Sequence, residues 1–139
     1  MASTRPLIRE RITSLLQPLG YVLHTTPFDF TTMPTGAIDA GVRVEIASQV
    51  TLGGMNFTED RTDAVTIWFA RKLAADPEAA YQQLLEDVDL ATSEVIHDGA
   101  QGGGDYNVLD GIEVALSHEA GQEYALARLT LPVNYEVEL

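Results

Sequence analysis

The chain has 139 residues, a formal net charge of −13 and no cysteine. This length suits one domain that buries a core without staples, and the absence of cysteine excludes a disulfide framework, a thiolate metal site and a cysteine nucleophile. No apolar run approaches the ~18 residues of a membrane span, and the N-terminal segment spreads Arg5, Arg9 and Arg11 through an amphipathic pattern unlike a signal peptide, so a soluble intracellular protein is expected.

The negative charge is one-sided. Residues 1–72 hold seven basic and seven acidic side chains, whereas residues 73–139 hold one base, Arg128, against fourteen acids. Such a balance favours solubility, and it also repels phosphate, so no specific nucleic-acid binding is expected.

Ser3 or Thr4 can cap a first helix that has Pro6 in its first turn, an apolar stripe of Ile8, Ile12, Leu15, Leu16 and Leu19, and Pro18 and Gly20 as its stop. Arg5, Arg9 and Arg11 lie largely off that stripe. They are either solvated or form a face that docks on an acidic neighbour, such as the second half of another copy. Residues 21–25 can form a short strand. Phe28 and Phe30 alternate around Asp29, which pins the following loop to a surface of its own domain or of a partner.

From Val42 the period becomes two. Val42, Val44, Ile46 and Val50 share one face, with Arg43, Glu45, Ala47 and Gln49 on the other. Residues 64–72 alternate again, Val65, Ile67 and Phe69 against Thr66, Trp68 and Ala70, so the two strands form a hairpin. Its long tip carries Leu52, Gly53, Gly54, Met55, Asn56 and Phe57, which suits either a plain turn or a projecting contact loop.

Residues 76–99 carry the clearest helix signal: Asp76 as N-cap, Pro77 in the first turn, Glu78 beside the positive dipole end, and Tyr81, Leu84, Leu85, Val88, Ala91 and Val95 on one stripe. Gln82, Glu86, Asp87, Asp89 and Ser93 are expected to point mostly away, and Gly99 to stop the helix. A glycine-rich connection leads to a third strand marked by Ile112, Val114 and Leu116. Residues 124–139 alternate to the end of the chain. Pro132 divides this last strand into a part inside the sheet and an overhanging part, in which Val133, Tyr135, Val137 and Leu139 form an apolar strip for a neighbouring subunit.

The expected fold is therefore one α+β domain, residues 1–139, with helices and strands in the order α-β-β-α-β-β. About four strands make a mainly antiparallel or mixed sheet with both helices on one face. No catalytic, cofactor or metal site is assigned. Gly102, Gly103 and Gly104 follow a helix and precede a strand, the reverse of a dinucleotide-binding turn. Asp105, Asn107 and Asp110 lack the spacing of a calcium loop, His24, His97 and His118 lack zinc spacing, and no GxSxG elbow occurs.

In size, in its first helix, in the hairpin ending AVTIWFARK, in the helix DPEAAYQQLLEDV and in the closing strand LARLTLPVNYEVEL, the chain resembles the tail terminator (tail completion) proteins of long-tailed bacteriophages, the family that includes the minor tail protein U of phage lambda. The resemblance implies a non-enzymatic virion protein, assembled in the host cytoplasm. It implies a homohexameric ring on the tail tube that stops tube growth, offers a head-tail joining surface to a neck or head-connector protein, and lets DNA pass through its lumen. By position, the hairpin tip resembles the loop that engages the tube or a neighbour. Together with Arg5, Arg9, Arg11, Val133, Tyr135, Val137 and Leu139, Leu52 through Phe57 are thus the candidate interface with another subunit or the tail tube protein. Another neck or head-tail connector protein, or a small enzyme or ligand-binding domain with its own pocket, are the alternatives.

Overall fold

The computed structural model describes residues 5–24, 40–52, 58–73, 76–101, 106–117 and 124–138, with backbone alone at 47–52, 58–60, 101, 117 and 137–138. The elements are helix α1 (Arg5–Leu16), a 3-10 turn (Gln17–Leu19), β1 (Val22–Leu23), β2 (Ala40–Leu52), β3 (Thr58–Lys72), helix α2 (Pro77–Gln101), β4 (Asn107–Val108), β5 (Glu113–Ser117) and β6 (Tyr124–Glu138). The class is α+β, with both helices on one face of the sheet. Among the described residues the sheet has six strands, not four, in the order β1-β2-β3-β6-β4, with β5 also on β6. It is mixed because β1 runs parallel to β2, while every other pairing is antiparallel.

Helix α2 begins where its capping chemistry dictates. The Asp76 carboxylate accepts the Ala79 N–H at 3.1 Å, satisfying one of the donors that a helix start leaves without a partner. Leu84, Val88, Ala91 and Val95 are buried against the sheet. Two expectations fail here. Gly99 does not stop the helix, which continues to Gln101. A Cβ on Gly99 would stand 3.2 Å from Cε2 of Tyr106 and 3.4 Å from Cγ2 of Val108, so this glycine serves close packing of the helix on the β4 segment. Asp87, expected to point away, is buried and bonded.

Strand β3 starts at Thr58, well before the apolar alternation at Ala64, because pairing rather than hydrophobicity carries its polar first half: it is bonded to β2 on one side and β6 on the other along almost its whole length. The β2–β3 register slips between Ser48 and Val50, so the alternation read continuously through Val50 is interrupted by a bulge. Strand β6 is not divided at Pro132 and does not overhang. It pairs with β3 from Tyr124 to Glu138, and Val133 and Tyr135 are in the core. Pro132 fits because of the side its missing N–H would face. Its carbonyl accepts the Leu109 N–H at 2.8 Å, so its nitrogen points to the same side, where β4 and β5 are interrupted between Val108 and Glu113. Gly111 lies in that break with φ 104°, a conformation open chiefly to glycine, 3.9 Å from the Pro132 ring.

The main core joins Ile8, Ile12 and Leu16 of α1 and the α2 stripe to Val42 and Val44 of β2, Val65, Ile67 and Phe69 of β3, and alternate residues of β6. On the opposite face Ala70, Tyr124 and Leu126 form a smaller buried cluster with Trp68, whose ring lies 5.6 Å from the Arg128 guanidinium. No helix among the described residues is long and apolar enough to cross a membrane.

Filling the space at Gly99 tests the helix-to-strand contact. Glycine inside a helix normally costs about 1 kcal/mol relative to alanine, yet Gly99→Val is expected to destabilise by about 1–3 kcal/mol through overpacking. A lower denaturant midpoint at unchanged slope is the expected result.

Candidate functional site

Three carboxylates organise the face between helices and sheet, each shared by an arginine and a tyrosine hydroxyl. Asp63 on β3 is 0 % exposed. Its Oδ2 accepts Nε of Arg5 from α1 at 2.7 Å and the hydroxyl of Tyr135 from β6 at 2.6 Å. Asp87 on α2 accepts the Tyr21 hydroxyl at 2.7 Å and the Gln83 amide at 3.0 Å, with Arg71 of β3 at 3.5 Å. Arg71 also lies 5.9 Å from the Tyr21 ring, which meets Phe69 edge-on at 5.5 Å. Asp98, near the end of α2, is held by two nitrogens of Arg11 from α1, each at 3.0 Å, and by the Tyr106 hydroxyl at 2.7 Å.

Each node solves the same problem. An ionised carboxylate taken from water is costly unless it is paired and hydrogen-bonded: Arg5 and Arg11 present a guanidinium fork to Asp63 and Asp98, Gln83 and the single Arg71 nitrogen serve Asp87, and a phenolic donor completes each set. Burial pushes the Tyr21 hydroxyl up from its ordinary range, and its bond to Asp87 adds to the shift. Tyr135 moves up for the same reasons, burial first and then Asp63. Both therefore remain donors at neutral pH. The bond to Asp63 likewise holds the Arg5 guanidinium in its charged form.

The arginines expected to make a docking face thus have different surroundings. Arg5 and Arg11 are engaged inside the molecule. Arg9 is exposed, and none of the ion pairs among the described residues includes it. Val133 and Tyr135 are core residues, because β6 is flanked by β3 and by β4 and β5 and lies beneath the helices. The tip residues Gly53, Gly54, Met55, Asn56 and Phe57, and Leu139, lie outside the described residues, as do Phe28 and Phe30; Leu52 and Val137 are described by backbone only, as members of β2 and β6.

A groove of about 630 Å³ opens between α1 and the β1–β2 end of the sheet. Its lining includes Arg5, Arg9, Thr13, Ser14, Leu23 and Ile46. The Thr13 and Ser14 hydroxyls donate to carbonyls of their own helix, at 2.8 and 3.0 Å, so this wall is less polar than its sequence suggests. At the far end of the sheet, Val114 and Leu116 are 49 % and 39 % exposed although they pair with the buried Leu129 and Ala127. Among the described residues helix α2 packs chiefly on β3, β6 and β4. The helical stripe and strand alternation were legible in the sequence, but the three nodes were not. Their only local trace is an aspartate interrupting an apolar pattern, and their partners stand up to 87 residues away.

Two outcomes are expected. Arg5→Ala leaves a buried carboxylate without its cation and should cost about 3 kcal/mol, the lower end for breaking a buried pair because Arg5 itself is partly exposed; Arg9→Ala should stay within about 0.5 kcal/mol. Chemical denaturation of the two variants checks this contrast. The second concerns alkali. Folded Tyr21 and Tyr135 keep their protons to higher pH than unfolded tyrosine, so above a pH of about 10 the unfolded chain binds fewer protons and stability falls as pH rises. The contribution is fully present below that pH, and Tyr21→Phe and Tyr135→Phe should each flatten the alkaline decline in unfolding free energy.

Compared with protein-family models and with curated proteins, the chain matches none.

Proposed function

We propose that this chain is a structural subunit that assembles with copies of itself into a closed ring, and that the ring is a phage tail terminator, capping the tail tube and presenting a head-tail joining surface. The supporting observation is that exposed apolar side chains occur at both ends of one sheet: Val22 and Leu23 on β1, and Val114 and Leu116 on β5. Two different adhesive ends on one molecule favour head-to-tail contacts, which close into a ring when the rotation between copies permits. The tail assignment comes from the resemblance of the helices, hairpin and closing strand. The net charge of −13 supports a lumen past which DNA slides without adhering.

On this reading the tail tube protein and a neck or head-connector protein are the partners, and the chain performs no catalysis. The groove lined by Arg5 and Arg9 favours a second reading, a small anionic ligand, since its volume falls within the range of ligand sites. The two readings separate in solution. Light scattering and negative-stain imaging at tens of micromolar protein should show rings of about six chains that weaken with added salt. A particle that stays at the 15.1 kDa of a single chain, with and without the tube protein, overturns the ring.

A further inference from the structure

We propose that the contact between successive copies is made by the β5 edge of one copy entering the groove between α1 and β1 of the next, so that the two sheets continue into one another. This rests on the self-assembly reading above and specifies its surfaces.

Each end of the sheet combines an outer strand with exposed apolar side chains. β1 and the β4–β5 pair are its outermost strands among the described residues, so each carries a backbone edge toward the side where a neighbour would sit. Leu23 pairs with the buried Val42 and therefore projects to the helix side, into the groove. Val114 and Leu116 pair with core residues of β6 and also project to the helix side, yet remain partly exposed. A β5 strand laid beside β1 would carry Val114 and Leu116 under the outer flank of α1, next to Leu23 and Ile46. Strand directions agree with this. With β1 parallel to β2 and each further neighbour antiparallel, β5 runs opposite to β1, so two similarly oriented copies would meet as an antiparallel pair.

Charge selects a second copy as the occupant. The groove at the α1 end is lined by Arg9, which has no ion-pair partner among the described residues, and by Glu10, with Arg5 held by Asp63, so this end carries no excess of acid. The β4–β5 end exposes Asp110 and Glu113, and residues 76–117 contain no lysine or arginine. Pairing two β5 ends would set Asp110 and Glu113 against their own copies, whereas unlike ends avoid that repulsion and bring Arg9 toward those acids. An interface of unlike surfaces is heterologous, as a ring requires.

Leu23→Asp and Leu116→Asp each spoil one surface. Both positions are exposed, so both variants should fold with unchanged circular dichroism. Sedimentation velocity should find the wild-type chain assembled and each variant alone monomeric. Mixed in equal amounts, they should give a one-to-one dimer and nothing larger, because the Leu23→Asp copy retains its β5 edge and the Leu116→Asp copy retains its groove. The chain carrying both substitutions should stay monomeric in every mixture with itself. If the wild type assembles but either variant still assembles normally, or the mixture yields no dimer, this interface is overturned while self-assembly stands. A monomeric wild type overturns both.

Discussion

The burial of the Asp63 carboxylate constrains the whole layer between helices and sheet. A charge with no exposure requires a cation and a donor brought to it, and here these come from the first turn of α1 and from the last third of β6. Residues at both ends of the chain therefore converge on the middle of β3. Asp87 and Asp98 repeat the arrangement, one joining α2 to β3 and to the segment before β1, the other joining the two helices to the segment before β4. The apolar core supplies the bulk of the driving force. The nodes contribute position, because the desolvation cost of such pairs offsets much of their attraction while misplacing a partner leaves a charge uncompensated.

Strand β6 shows how the sheet absorbs a residue that ordinarily marks an edge. Its central place requires donors on both sides, and Pro132 withholds one. The loss falls opposite the break between β4 and β5, where the chain turns through Gly111 and no ladder bond from that nitrogen is needed. The same break divides the outer edge into two short strands. Among the described residues the region of β4 lies under α2, where Gly99 admits the Tyr106 ring, and Val114 and Leu116 of β5 remain partly exposed.

Engaging arginines internally changes the character of the surface. Arg5, Arg11 and Arg71 neutralise carboxylates of their own chain, and Arg43 pairs with Glu45 on β2. The basic character of the first half of the sequence is thus largely spent within the fold, and Arg9 gains weight as a cation facing outward beside the groove.

The sequence alone determined α2, because cap, first-turn proline and a stripe of apolar residues are local signals that need no distant partner, and it determined the hairpin of β2 and β3 and the α+β class for the same reason. It also marked Pro132 as a break in hydrogen bonding. Tertiary structure decided which side that break faced, and so turned an expected overhang into a continuous central strand. It likewise decided that Asp63 and Asp87 point inward, that Gly99 is packed against Tyr106 instead of ending the helix, and that Val114 and Leu116 remain exposed despite a core-like alternation. These outcomes depend on what stands across the sheet or beneath the helix. Periodicity reports which residues share a face, whereas coverage of that face is set by elements far away in the chain.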